Sequence, residues 1–299
     1  MDPLLIIAGL GVGLLVGMTG MGGGSLMTPV LILLFGTAPT TAIGSDIAYA
    51  AVTKTVGGWR HFRLRTVNLP LSLWLAVGSV PAAIAGVWVI SLLHDAYGES
   101  LDDIVLTMLA IALTMVGLLV LIRSLFIPQV ARLERDSFEL SRRDKAAAVA
   151  VGASTGFVIG ITSAGSGTLI AVFLIAFYRL APRRVVGTDV FHAAILLWAA
   201  GIAHVVGGNV DFGLVGTILL GSVPGIWIGS HLTVRLPTGL LRNALGIVMV
   251  LSALALFDKA GIELPLALVI AVPVGFAAAL VAQALVRRGR TAVDAASTG

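Results

Sequence analysis

Apolar residues in this chain come in long unbroken runs, not at the 3.6-residue spacing of an amphipathic helix or the alternation of a half-buried strand. The runs fall at residues 4–18, 26–35, 42–56, 69–93, 104–126, 146–161, 169–178, 185–206, 212–234, 240–257 and 264–286. A hydrocarbon core of about 30 Å takes about 20 such residues per helical span, and several runs are that long. Those at 26–35 and 169–178 hold only about ten residues each, too few to cross at 1.5 Å per residue. Each follows a glycine-rich stretch. The pattern predicts an all-α integral membrane protein with about 8–11 transmembrane segments, in which two helices are broken by glycine or folded as re-entrant hairpins.

Composition agrees. Of 299 residues, 58% are hydrophobic and 11% charged, and the mean hydropathy is +1.05, which suits a chain whose solvent is lipid. There is no cysteine, so disulfides, thiolate metal sites and cysteine nucleophiles are excluded. The net charge of +4 comes from Lys and Arg gathered in particular loops, a sign of membrane orientation and not of nucleic-acid binding. The amino terminus lacks a basic signal-peptide region and reads as a retained first helix.

The chain also repeats itself. An offset of 143 residues aligns 13–88 with 156–231 without a gap, with roughly 30% of the aligned positions identical. Thr19, Gly22, Gly24, Pro39, Gly44, Asp46, His61 and Pro81 match Thr162, Gly165, Gly167, Pro182, Gly187, Asp189, His204 and Pro224, and these are not residues that apolar composition alone would align. The charges differ between the copies. The loop at 36–41 is uncharged where its counterpart carries Arg179, Arg183 and Arg184, while Arg60, Arg63 and Arg65 match Ala203, Val206 and Gly208. Because cytoplasmic loops collect Lys and Arg, matched loops are expected on opposite sides, which makes the repeats inverted. The expected organisation is a first repeat at 1–126, a basic cytoplasmic linker at 127–145, an inverted second repeat at 146–257, a final helix at 258–286 and a cytoplasmic tail at 287–299.

Two pairs of segments carry candidate chemistry. The first is TGMGGGSLMTP from Thr19 and its counterpart TSAGSGTLIAV from Thr162. Glycines clustered at membrane depth either let helices pack closely or free backbone groups that line a protected cavity. In the second case the following helix points unpaired amides and a positive dipole end at the cavity, which suits an anion. The candidate binding residues are Thr19, Gly22, Gly23, Gly24, Ser25, Thr162, Gly165, Ser166, Gly167 and Thr168, with Lys54 as an intramembrane cation.

The second pair is GSDIAYAAVTK from Gly44 and GTDVFHAAILL from Gly187. Asp46 and Asp189 suit the positive ends of their helices or act as titrating carboxylates. Lys54, matched by Leu197, either neutralises Asp46 two turns away, attracts substrate, or snorkels to the interface. His61, His204, His192 and Tyr49, the match of His192, are candidate coupling or gating groups, with structural hydrogen bonding as the alternative. No spacing of acids and histidines resembles a metal site, and nothing calls for a cofactor. Gly9, Gly11 and Gly13 imitate a nucleotide-binding run but follow no strand, and no nucleophile elbow or Walker loop appears. Catalytic residues are therefore not expected.

Taken in order, GMGGGSLMTPVL, GSDIAYAAVTKTVGGWRHFRLRTVNL, a GSVPA helix and a second copy ending GNVDFG and GSVPGIWIGSHL resemble the TauE/SafE sulfite exporter family over about residues 5–257. The resemblance implies a secondary transporter of small sulfur-containing anions in the bacterial cytoplasmic membrane, usually directed outward. Its GSD and GTD motifs are similar to a subgroup with an aspartate where other members often carry an uncharged residue, which brings protons in as candidate coupling ions and leaves other organic anions open as substrates. The expected partners are the lipid bilayer and a small anion, with a homodimer as a candidate assembly. The orientation is directly testable in a chain free of cysteine: Thr40→Cys and Arg183→Cys are expected to react with an impermeant thiol reagent from opposite sides of the membrane. Labelling of both from one side would refute the inverted arrangement.

Overall fold

The computed structural model describes residues 2–19, 23–126, 140–165, 167, 169–232 and 238–265, together with 267, 271, 274–276 and 278. Gly22, Ser166, Thr168, most of the 127–145 linker, the greater part of the helix expected at 258–286 and the tail at 287–299 lie outside the described residues. The described chain forms ten α-helices: α1 Pro3–Thr19, α2 Gly24–Leu34, α3 Pro39–Arg63, α4 Leu69–Tyr97, α5 Leu101–Phe126, α6 Arg142–Thr162, α7 Leu169–Tyr178, α8 Pro182–Val206, α9 Phe212–Leu232 and α10 Thr238–Lys259. A single 3₁₀ turn, Gly98–Ser100, joins α4 to α5, and no strand occurs among the described residues.

This is an all-α integral membrane fold. Among the described residues, five helical segments, Leu69–Leu93, Leu101–Ile122, Arg142–Thr162, Arg183–Val206 and Phe212–Leu232, are long and apolar enough to span a bilayer, while α1, α2 and α7 are shorter apolar helices. Large apolar side chains such as Ile7, Val77, Trp88, Ile111, Leu220 and Trp227 lie exposed on the outside, as a lipid-facing surface requires. α6 begins at Arg142, inside the stretch read from sequence as linker. Ser141 and Asp144 form a reciprocal capping box there, so the local cap starts the helix before its apolar run does.

The two halves interleave. α1 packs along α9 and α4 along α6, while α3 crosses α8 at the centre and α5 lies on α10. The close pairs depend on missing side chains. A Cβ on Gly9, Gly13 or Gly17 would collide with the backbone of α9 at Ile218, Ser222 and Ile226. A Cβ on Gly152, Gly156 or Gly160 would collide with α4 at Leu75, Ser79 and Ala83. The partners in these two sets differ by the same offset of 143 residues that aligns the sequence, so the repeat governs packing as well as composition. Dispersion contacts between closely approached backbones are the main attraction available to helices already in lipid.

The central helices start alike. Pro39 and Pro182 occupy the first turns of α3 and α8, each after an alanine in extended conformation, ψ 137° at Ala38 and 142° at Ala181, where proline costs no hydrogen bond. α3 and α8 run antiparallel, because Trp198 donates its indole N–H to Thr55 at 2.7 Å while Phe62 stacks on Phe191. Lys259, at the end of α10, donates to the Ile32 carbonyl at 2.9 Å and so caps the last turn of the short helix α2.

Gly156→Ala is expected to lower stability by about 1–3 kcal/mol through overpacking, read as a fall in melting temperature of the purified protein. Gly11, with open space around its Cβ direction, supplies the control, since Gly11→Ala should not lower it. Equal melting of both variants would mean that glycine does not set the helix approach.

Candidate functional site

α6 stops because Ser163 turns left-handed, φ 58°, with its N–H still bonded to the Ile159 carbonyl at 2.8 Å. Gly165 and Gly167 follow at φ 97° and 105°, conformations that glycine reaches without a Cβ clash. In the first half the chain leaves α1 at Thr19 and re-enters helix at Gly24, with Gly23 as a cap that lends no side chain.

The two breaks touch. A Cβ on Gly24 would strike the carbonyl and hydroxyl oxygens of Ser163. In the other direction the Gly165 N–H donates to Ser25 Oγ at 3.2 Å. Asp46 of α3 completes the junction: its Oδ2 accepts from Thr28 Oγ1 of α2 and from Ser163 Oγ, both at 2.6 Å. One carboxylate oxygen thus joins α2, α3 and the end of α6. The other, Oδ1, is buried without a hydrogen-bond partner. The Tyr49 hydroxyl lies where a Cβ on Gly23 would reach it and faces Ser222 of α9. Both of these hydroxyls are also buried with no completed hydrogen bond. Buried polar atoms left unpaired are costly, and three gather beside the breaks.

Each position of the GSD and GTD motifs has a distinct task. The glycine admits a carbonyl of the opposite half, from Asn209 at Gly44 and from Thr66 at Gly187. The hydroxyl then accepts a loop amide, Asp211 N–H on Ser45 Oγ at 3.0 Å and Asn68 N–H on Thr188 Oγ1 at 2.9 Å. The aspartates differ in their surroundings. Asp46 is held by hydroxyls, whereas Asp189 is buried and lies in the field of Lys54. Lys54 is itself 7% exposed, so it stays inside the protein with Asp189 as a carboxylate neighbour, where the sequence had offered Asp46, attraction of substrate or snorkelling. A desolvated charge of this kind persists when an opposite charge accompanies it.

The remaining candidates fall into two groups. Thr19 Oγ1 and Thr162 Oγ1 donate back to the carbonyls of Leu15 and Val158, each at 2.7 Å. His61 Nδ1 pairs with Thr66 Oγ1 at 2.9 Å, and His204 Nε2 with the Gly160 carbonyl at 2.9 Å, so both histidines fasten helix ends. His192 meets Ser79 Oγ at 2.8 Å, the repeat counterpart of Tyr49 facing Ser222. Among the described residues no three His, Asp or Glu side chains gather as a metal site would need.

Thr28, Ser163 and Ser222 were not singled out by the sequence. Ser163 aligns with Gly20 and Thr28 with Ala171, so a search for features present in both copies passes over these two, whereas Ser222 matches Ser79. The available signal was a threonine inside an otherwise apolar short helix, one turn beyond Ser25.

The match to a family model described as Sulfite exporter TauE/SafE spans residues 5–256, nearly all of the helical chain and both breaks. The chain belongs to the TauE/SafE family. Among curated relatives of this TauE/SafE protein, a Bacillus subtilis protein named probable membrane transporter protein YjnA is 37% identical over 256 residues, covering 86% of this chain and all of its own length. A second B. subtilis protein, named probable membrane transporter protein YdhB, is 26% identical over 85% of this chain and 99% of its own. A third, from Methanocaldococcus jannaschii and named probable membrane transporter protein MJ0441, is 24% identical over 63% of this chain and 66% of its own. No solved structure matches the chain. The TauE/SafE family consists of membrane transporters, and the protein is a multi-pass membrane protein of that family.

The junction at Asp46 makes a double-mutant prediction. Ser163→Ala is expected to cost about 1–3 kcal/mol of stability by stripping a donor from a buried carboxylate. In an Asp46→Ala background the same change should cost much less. Equal losses in both backgrounds, measured by thermal unfolding, would show that the contact contributes nothing.

Proposed function

We propose that this protein is a secondary transporter of a small sulfur-containing oxyanion, such as sulfite or an organosulfonate, in the bacterial cytoplasmic membrane, with outward movement as the working direction. The observation that carries the reading is the contact between the two breaks through Ser25, Gly165, Ser163 and Asp46. Irregular backbone from both halves converges at one buried place beside unpaired hydroxyls. The Gly24 and Ser25 amides precede the first bond of α2, from the Leu26 N–H to the Gly23 carbonyl, and a helix N-terminus favours negative charge. Gly23, Gly24, Ser25 and Gly165 are the proposed contacts, with Tyr49 and Ser222 supplying hydroxyls. Gly22, Ser166, Gly167 and Thr168 extend the same segments, and Lys54 adds positive potential from the Asp189 side.

The antiparallel run of the matched helices α3 and α8 supports an inverted relation between the halves, with the repeats and basic linker arranged as the sequence suggests. Alternating access then takes a particular form. Because α1 is interlocked with α9 and α4 with α6, the rocking bodies are these mixed pairs moving about α3 and α8, not one sequence repeat against the other. With the cell interior negative, expelling one negative charge gains about 2.3 kcal/mol per 100 mV, so export needs no coupled ion.

One observation favours a second reading, proton coupling with sulfite or another small organic anion. The unpaired Asp46 Oδ1 opposes an incoming anion as a carboxylate, but a proton carried there converts it from acceptor to donor. Anion flux in proteoliposomes separates the two readings. Simple export requires sulfite flux that follows an imposed potential and ignores a pH gradient. Proton coupling requires flux driven by the pH gradient and lost in Asp46→Asn. Gly23→Leu, whose side chain would meet Tyr49, should abolish flux in either case while the protein still inserts. Transport of only cations or neutral solutes, or unitary currents above about 10⁶ ions per second, would overturn the carrier reading.

A further inference from the structure

Where the end of α3 meets the start of α8, Phe62, Arg63, Arg65, Val67, Leu69 and Arg184 line an open groove of about 560 Å³. Three guanidinium groups therefore share one recess, and no acidic side chain is among its lining residues. Arg184 sits in the first turn of α8, where the helix dipole already carries positive charge, so the groove concentrates positive potential from two sources. Its Nε is buried and has no hydrogen-bond partner, which leaves a donor of a strongly hydrogen-bonding group unfilled. The matching positions in the other half, Val206, Gly208 and Thr41, carry no charge, so the recess is a property of one end of the molecule only.

The rim shows what kind of anion fits. Trp59 and Phe62 stack with ring centroids 6.3 Å apart, and Phe62 stacks on Phe191 at 5.7 Å. Arg63 lies over the Trp59 ring at 5.8 Å. Leu64 and Leu69 are exposed beside them. Aromatic rings grouped with arginines and exposed leucines mark the headgroup level of a bilayer, with acyl chains below and phosphates at the height of the guanidinium groups. A freely soluble anion has no use for the apolar flank, whereas a phospholipid fills both parts.

We infer that this groove is a binding site for an anionic phospholipid, whose phosphate is held by Arg184, Arg63 and Arg65 and whose acyl chains lie along Phe62, Val67 and Leu69. Arginine suits the task because its planar fork meets two phosphate oxygens at once. A lipid seated there bridges α3 and α8, the two helices that cross at the centre of the fold, and so stabilises their contact without touching the junction at Asp46.

The test uses the delipidated full-length protein in detergent, with thermal unfolding and native mass spectrometry as readouts. Phosphatidylglycerol is expected to raise the melting temperature and to remain bound as a discrete adduct, while phosphatidylcholine at the same mole fraction does neither. In Arg63→Gln/Arg184→Gln the apparent affinity for phosphatidylglycerol should fall about tenfold or more, and Arg60→Gln, outside the groove, should leave it unchanged. If the double glutamine variant does not fold, Arg63→Lys/Arg184→Lys keeps the charge without the fork and should still weaken binding. Equal stabilisation by phosphatidylcholine, or undiminished binding in every groove variant, would overturn the site. Stabilisation by glycerol 3-phosphate or inorganic phosphate as strong as that by phosphatidylglycerol would overturn the lipid and assign the groove to a soluble anion.

Discussion

In hydrocarbon a backbone amide that leaves its helix has no water to receive it, so a broken helix must find its hydrogen-bond partners in protein. Here each break finds them in the other. The Ser25 hydroxyl accepts the Gly165 amide, Ser163 stands against Gly24, and the Asp46 carboxylate collects the hydroxyls of Thr28 and Ser163. Much of the architecture follows from this need. α2 and α7 are short because they start at the breaks. α3 and α8 carry the GSD and GTD motifs within the helix, and the α3 aspartate reaches the junction.

The aligned halves share a frame and differ around the two aspartates. The shared elements are structural: glycines under carbonyls, prolines at helix starts, hydroxyls accepting loop amides. The unshared ones surround the aspartates. Asp189 has Lys54 where Asp46, in the corresponding place, has Leu197. Asp46 has Ser163 and Thr28 where Asp189 has Gly20 and Ala171 as the aligned residues. The facing but unbonded hydroxyls of Tyr49 and Ser222 stand where the other half has the hydrogen-bonded His192 and Ser79. The two aspartates therefore stand in different surroundings, one held by hydroxyls and the other beside a lysine.

The fold class was legible because lipid imposes a coarse rule on composition: runs of about 20 apolar residues, and two of half that length beside clustered glycines. The breaks were legible because four of the five residues from Gly20 to Gly24 are glycine, more than packing alone explains. Two features were hidden. The neighbour of Lys54 comes from α8, and no spacing within α3 could reveal an approach made across the molecule. Ser163 and Thr28 were masked by the search itself, since a filter for features repeated in both copies discards what only one copy has. The early start of α6 at Arg142 was missed because a capping box is polar and lies outside the apolar run that marks a membrane helix.

The pairing of α1 with α9 also constrains how the chain is made. α1 emerges from the ribosome roughly 190 residues before the end of the loop that precedes α9, which at 5–20 residues per second is about 10–40 s of synthesis. Through that interval Gly9, Gly13 and Gly17 have no partner backbone, and the face that later fits Ser222 rests against lipid or the insertion machinery. Chains truncated before α9 leave that face permanently open, as do chains truncated before α6 for the matching face of α4. The α1–α9 contact is accordingly completed late in synthesis, after the α4–α6 contact.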